Sequence, residues 1–250
     1  MFILFQTLSA EKKILKVAVA SNFSATFIKI QKAFEDRYSC SIRASYGSTS
    51  KLYQQIVCGA PFDVFLSADR EHIKMLIEQG WGELKTYYTY AVGQLVLYIP
   101  NSGANTKIDA KILMSDHLKK IAIANPQTAP YGRAAQLFLK ELGVWNELCS
   151  LSRVVTAENV AQAMTFILTK NADAGFIAKS QALETRVNML DVHYVGEFFG
   201  RLPQGAIVIR HEEQNCLAEK FVDFLKTYES QQLILNAGYV EKMRTEEGCS

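Results

Sequence analysis

From Lys13 onward the chain alternates short apolar runs with stretches of helical period. Val17-Ala18-Val19-Ala20 is an unbroken apolar run, the pattern of a strand buried on both faces. Ser21, Asn22 and Phe23 follow, and the segment from Ala25 to Tyr38 then places Phe27, Ile30, Ala33 and Phe34 on one side of a helix. Ser41 to Tyr46 reads as a second strand. Gly47-Ser48-Thr49-Ser50 opens a helix carrying Leu52, Ile56 and Val57, which Gly59-Ala60-Pro61 stops. Asp63 to Ser67 makes a third strand, and Ala68-Asp69 leads into a helix around His72 to Gln79. Strands and helices alternating at this spacing predict an α/β fold with a mostly parallel sheet covered on both faces.

Near Tyr90 the pattern changes. Gln94 to Ile99 is a strand with no glycine-rich turn ahead of it, and it reads as a crossing into a second lobe. The alternation then restarts. The strand Ile121 to Ala124 is followed by a turn, Asn125 to Gly132, and a helix from Arg133 to Leu142. The short strand Arg153 to Val155 is followed by Thr156-Ala157-Glu158-Asn159-Val160 and a helix from Ala161 to Thr169. Ala174 to Ala178 is another strand. Leu202-Pro203-Gln204-Gly205 precedes a strand from Ala206 to Ile209, read as the return crossing, and helices from Cys216 to Tyr228 and Gln231 to Asn236 rejoin the first lobe. The expected division is 11–91 with 201–250 as lobe I and 92–200 as lobe II. Thr245 to Ser250 read as a frayed end.

Composition narrows the function classes. A formal net charge of +2, with scattered Lys and Arg, gives no basic stripe for nucleic acid. The opening MFILFQTLSA is apolar and ends in small residues, resembling the tail of a secretory signal with cleavage near Ala10, although it lacks a basic n-region. Residues 1–10 are thus expected to be a truncated signal remnant of an exported protein. None of the five cysteines forms a C-x-x-C pair, which argues against a zinc or thioredoxin-like site. Export would permit a Cys40–Cys58 bridge, with buried thiols as the alternative. His72, His117, His193 and His211 show no metal or triad spacing, and most read as solvated surface.

The chemistry concentrates in strand-to-helix turns. Ser21-Asn22, Ser48-Thr49-Ser50, Pro130-Tyr131-Gly132 and Asn159-Val160 fall two to each expected lobe. A helix start exposes backbone N–H groups and the positive end of the helix dipole. In open α/β sheets ligands bind beyond the carboxyl ends of strands, so two facing lobes would bring all these turns to one cleft. Any one turn alone reads as an ordinary helix cap. Their repetition in both lobes points to an anion held by neutral donors. No catalytic motif or phosphate-loop lysine is present, so no catalytic residues are assigned.

Val19-Ala20-Ser21-Asn22-Phe23, Tyr46-Gly47-Ser48-Thr49-Ser50-Lys51-Leu52 and the run from Gly59 to Asp69 resemble the periplasmic molybdate-binding proteins. The resemblance extends through Asn125-Pro126, Pro130-Tyr131-Gly132, Ala157-Glu158-Asn159-Val160 and Pro203-Gln204-Gly205. It implies a two-lobed type II periplasmic-binding-protein fold that closes over its ligand. It implies a monomeric receptor for molybdate, and for tungstate, that needs no cofactor and no cation ligand and docks on the membrane permease of an ABC transporter. By the same resemblance the oxyanion contacts are Ser21, Asn22, Thr49, Tyr131 and Val160, with Ser48 and Ser50 as alternatives if the register is shifted. Many members carry Ser at the position of Thr49. Some place a ligand Tyr where this chain has Ala178. Asp63 and Asp69 would repel an anion and are read as partners of turn N–H groups. A sulfate receptor, an enzyme on the same fold and a cytosolic oxyanion sensor stay open as alternatives.

Overall fold

In β1 (Ile14–Ala20) the side chains alternate between two cores, Val17 and Val19 on one face and Ala18 on the other. The computed structural model describes residues 13–213 and 215–241. After β1 come a 3-10 turn (Ser21–Phe23), α1 (Ser24–Tyr38), β2 (Ser41–Gly47), α2 (Thr49–Val57), β3 (Val64–Leu66), α3 (Glu71–Glu78), a second 3-10 turn (Leu84–Thr86) and β4 (Tyr88–Tyr98). The middle of the chain forms α4 (Ala110–Leu113), β5 (Ile121–Ala124), α5 (Pro130–Glu141), α6 (Trp145–Ser150), β6 (Val154–Ala157), α7 (Val160–Leu168), β7 (Ala174–Ala178) and α8 (Lys179–Glu184). A third 3-10 turn (Met189–Asp191), β8 (Val192–Tyr194), α9 (Glu197–Gly200), β9 (Arg201–Val208), α10 (Cys216–Leu225) and α11 (Tyr228–Asn236) follow.

The strands run in the order β2-β1-β3-β9-β4-β7-β5-β6, with β8 beside β4. β1 is parallel to β2 and β3, and β5 is parallel to β6 and β7. The two parallel groups are joined by antiparallel β9 and β4. β4 is long enough to serve both: from Tyr88 to Gln94 it pairs with β9, and from Leu95 onward with β7. Each group is covered on two faces. Phe27, Ile30, Phe34, Phe221 and Phe224 fill one side of the first, and Leu52, Tyr53, Ile56, Ile73 and Leu76 the other. In the second, Ile121 and Ile123 face Phe138 and Phe176, while Ala122 faces Ala163, Met164 and Ile167.

Two expectations shift. The crossing strand begins at Tyr88, ahead of Gln94. The return strand begins at Arg201, so Leu202-Pro203-Gln204-Gly205 lies inside β9 rather than before it. Proline is tolerated there because Pro203 pairs only with Val92, while β3 reaches β9 at Ala206 and beyond. A bulge in β4 between Thr89 and Ala91 leaves Tyr90 as the extra residue opposite this stretch. Cys58 is an exposed free thiol, so the Cys40–Cys58 bridge is not formed, and Cys40 lies in the core. The signal-like first ten residues and the frayed end lie outside the described residues.

The fit of α5 onto β5 depends on one small residue. A Cβ at Gly132 would meet the Ala124 carbonyl oxygen at 2.1 Å and its carbon at 2.6 Å. Backbone on both sides cannot yield cheaply, so Gly132→Ala is expected to destabilise the fold by about 1–3 kcal/mol. Urea unfolding of the two proteins checks this; equal midpoints would contradict such tight seating.

Candidate binding site

The helices that follow β1, β2 and β5 start without side-chain caps. Ala20 precedes the 3-10 turn into α1, Ser48 precedes α2 and Ala129 precedes α5, and none supplies a capping hydrogen bond. Their first-turn N–H groups are therefore not spent on caps. The fourth helix differs. Asn159 accepts from the N–H groups of Ala161 and Gln162 and caps α7, a bond set that does not use the N–H of Val160. Ser21, Asn22, Ser48, Thr49, Tyr131 and Val160 are all buried, so water does not replace the missing caps freely.

The structure draws these turns together. Ala20, Ala68, Ala129, Tyr131 and Val160 belong to one buried cluster. The Ser50 N–H donates to the Thr128 carbonyl at 3.1 Å, joining the start of α2 to the loop before α5. Lys51 pairs with Glu158 at 2.9 Å, and Arg133 pairs with Glu71. Both pairs are about half exposed, so each contributes at most about 1 kcal/mol. α7 packs against the 3-10 turn that holds Ser21 and Asn22.

A buried chain of hydrogen bonds runs behind the turns. Tyr239 donates to the backbone carbonyl of Asn22 at 2.9 Å, and Asn22 Nδ2 donates to Gln204 Oε1 at 2.9 Å. Tyr90 donates to the same Gln204 oxygen at 2.9 Å, and Gln204 Nε2 donates to the Tyr131 hydroxyl oxygen at 3.2 Å. Ser180 on α8 also reaches the Asn22 carbonyl at 3.3 Å. Gln204 is completely buried. Burial raises the Tyr131 and Tyr90 hydroxyls well above the ordinary tyrosine value, with nearby Tyr239 adding to the shift. Burial raises Tyr239 in the same direction. All these phenols stay protonated and can donate.

The hydroxyl cluster at α2 divides into different roles. Thr49 Oγ1 accepts from the Ala68 N–H at 3.1 Å, which leaves its proton available. Ser50 Oγ lies 2.8 Å from His72 Nε2, while His72 Nδ1 lies 2.9 Å from Asp69 Oδ2. An ionised Asp69 can only accept, so Nδ1 carries a proton, and the Ser50 hydroxyl is engaged with Nε2 of the same ring. Ser48 Oγ is buried and has no hydrogen-bond partner among the described residues. Of the three hydroxyls it is the one whose hydrogen-bonding capacity is unspent.

Some features of the site were not evident from residue patterns. His72 and His193 are buried, against the expectation of a solvated surface for most histidines. Tyr90, Gly93, Ser180, Gln204 and Tyr239 were not singled out as contributors. Pro203-Gln204-Gly205 was the only one of these signals visible in the sequence, and it carried no information on where the Gln204 side chain points. Asp63 and Asp69 do serve backbone groups: Asp63 Oδ2 accepts from the Lys16 N–H at 2.6 Å, and Asp69 Oδ1 from the His72 N–H at 3.1 Å.

Two parallel strand groups joined by antiparallel crossings, with polar turns meeting between them, define a two-lobed binding protein of the type II periplasmic class. The model of the family described as "Bacterial extracellular solute-binding protein" matches residues 15–240, and the chain belongs to that family. Within it the chain is similar to the molybdate-binding protein ModA of Rhodobacter capsulatus, 35% identical over 89% of this chain and 86% of the relative. It is 34% identical to ModA of Azotobacter vinelandii, over 92% of this chain and 91% of that protein. The solved periplasmic molybdate-binding protein of A. vinelandii superposes with a TM-score of 0.85 at 31% identity, covering 92% of this chain and 100% of the other. The sulfate-binding protein SubI of Mycobacterium tuberculosis shares the fold, with a TM-score of 0.74 at 14% identity, covering 91% of this chain and 85% of the other. These relatives are named as anion-binding proteins, and this chain is a solute-binding protein, not an enzyme.

Burial alone would raise the Asp69 carboxyl, but the hydrogen bond and charge of His72, with help from Ser67, outweigh it and hold the group below the ordinary carboxylate value. Its contribution is therefore present above the unfolded value of about 3.9 and is lost as pH falls through the lower folded value. Thermal unfolding of wild type and Asp69→Asn across an acid series should show a wild-type advantage that shrinks below about pH 4. An advantage unchanged in strong acid would contradict this assignment.

Proposed function

We propose that this protein is an exported, periplasmic receptor that binds molybdate, and tungstate by the same chemistry, between its lobes and delivers it to the membrane permease of an ABC importer. The observation that carries this reading is the set of buried helix starts without side-chain caps, with Ser48 Oγ buried beside one of them and lacking any partner among the described residues. Buried donors left unsatisfied cost about 1–3 kcal/mol each, and an oxyanion supplies an acceptor to all of them at once. The names of the relatives favour molybdate among the tetrahedral oxyanions.

The contact set is Ser21, Asn22, Thr49, Tyr131 and Val160, extended to Ser48. Asn22 contributes through its backbone N–H, because its side-chain amide is engaged by Gln204 and Tyr239. Ser50 is the weaker alternative, since its hydroxyl is already engaged with His72. Lobe I comprises 11–91 and 201–250 and lobe II 92–200, and β4, which spans the junction, forms the hinge with β9, which starts at it and pairs with β4. The receptor acts as a monomer and takes no nucleic acid. Moving a dianion out of water costs tens of kcal/mol in the Born limit, so the ion enters only where several donors converge. Selectivity follows from size, a larger ion filling a donor shell that sulfate leaves partly out of reach.

Isothermal titration should show one molybdate bound per chain, with sulfate failing to compete at equal concentration. Ser48→Ala should weaken molybdate roughly 10- to 100-fold, the loss of one charge-assisted hydrogen bond. The same substitution should leave the ligand-free melting temperature unchanged or higher, because the hydroxyl makes no bond to a described residue. Equal competition by sulfate would remove the molybdate assignment, and undiminished binding by Ser48→Ala would remove Ser48 from the contact set.

A further inference from the structure

We infer that Gln204 is a positioning and specificity-determining residue: it fixes the Tyr131 hydroxyl as an obligatory donor and so biases the cleft toward fully deprotonated oxyanions. The inference rests on the reading of the cleft as an oxyanion site.

The proton on each link of the chain can be assigned from one fixed end. The Asn22 backbone carbonyl can only accept, so Tyr239, 2.9 Å away, donates to it. The Tyr239 oxygen, 3.3 Å from the Asn22 side chain, must then receive a proton, which places the nitrogen of that amide toward it. The same Asn22 nitrogen lies 2.9 Å from Gln204, so the Gln204 atom facing it is the oxygen. Tyr90, at 2.9 Å, donates to that oxygen as well. The Gln204 nitrogen therefore points the other way and donates to the Tyr131 oxygen at 3.2 Å. With its oxygen engaged as an acceptor, Tyr131 has its own proton left over, and no hydrogen bond to a described residue uses that proton.

An isolated hydroxyl rotates and can donate or accept, which weakens discrimination between protonated and unprotonated anions. The amide of Gln204 removes that freedom. Molybdate and tungstate at neutral pH offer only acceptors. Monohydrogen phosphate carries a proton that needs an acceptor, and Tyr131 does not provide one. Room for this arrangement comes from Gly93 on β4. A Cβ there would lie 2.1 Å from the Tyr131 hydroxyl oxygen and 2.4 Å from Gln204 Nε2. Absence of a side chain at Gly93 is thus a condition for the two groups to meet.

The test is titration of the full chain with sodium molybdate and with sodium phosphate at neutral pH. The proteins are wild type, Tyr131→Phe, Gln204→Met, the double variant and Gly93→Ala. Gln204→Met is expected to weaken molybdate about tenfold and to narrow its preference over phosphate. In the Tyr131→Phe background the same substitution should add less than about twofold, since both act through one hydroxyl. Gly93→Ala keeps both side chains but forces them apart, and it should shift affinity and preference in the same direction; it carries the comparison if Gln204→Met unfolds. A purely structural role would weaken both ions in proportion and add to the Tyr131→Phe effect, and that result overturns the inference. Wild-type affinity in Gln204→Met does so too, while leaving the cleft reading intact. Failure of the wild type to bind molybdate, or indifference to Tyr131→Phe, overturns the cleft reading and this inference with it.

Discussion

Backbone N–H groups at a helix start must find an acceptor, and in this fold three such starts are buried without a side-chain cap. The cause is topological. Parallel strands in each half end at the same level, and each is followed at once by a helix, so the donor-rich ends of the helices converge where the halves meet. Ala20 and Ala129, residues with no capping side chain, stand at two of these starts. Such an arrangement is poorly stabilised by the protein alone and well stabilised by a multivalent acceptor.

Charge is kept in a supporting place. The ion pairs that join the halves, Lys51 with Glu158 and Arg133 with Glu71, are half exposed and screened by water. The half-buried Asp69 is compensated by His72 and Ser67 rather than left facing the turns. The proposed site consists of neutral donors. Such donors attract an oxyanion without competing for a counter-ion of their own, and a helix end adds dipole stabilisation of about 0.3–1 kcal/mol.

The hydrogen-bonded chain from Tyr239 through Asn22 and Gln204 to Tyr131 shows how strands far apart in sequence shape one donor. The bulge in β4 presents Tyr90 to Gln204, and Gly93, further along the same strand, leaves the space in which Gln204 reaches Tyr131. A fully satisfied buried polar network is rigid, because breaking any one link leaves an unpaired group in a medium of low dielectric.

Apolar runs and helical periods were enough to mark β5 and β7 at their observed ends and α1 to within a residue, because burial on two faces and one-sided amphipathicity are local patterns. The polar turns after the strands were legible for the same reason. Whether a turn residue caps its helix or keeps its donors free was not: Asn159 caps α7, while the hydroxyl of Ser48 in the equivalent position of α2 bonds to no described residue. The parts of Gln204, Tyr90 and Gly93 were likewise out of reach, since an isolated glutamine within a strand has no period to reveal it. The chain's own order of residues determined the elements and the chemistry of their ends. Only tertiary structure decided which of those ends meet and which protons remain unspent, because hydrogen-bond direction depends on partners brought from distant strands.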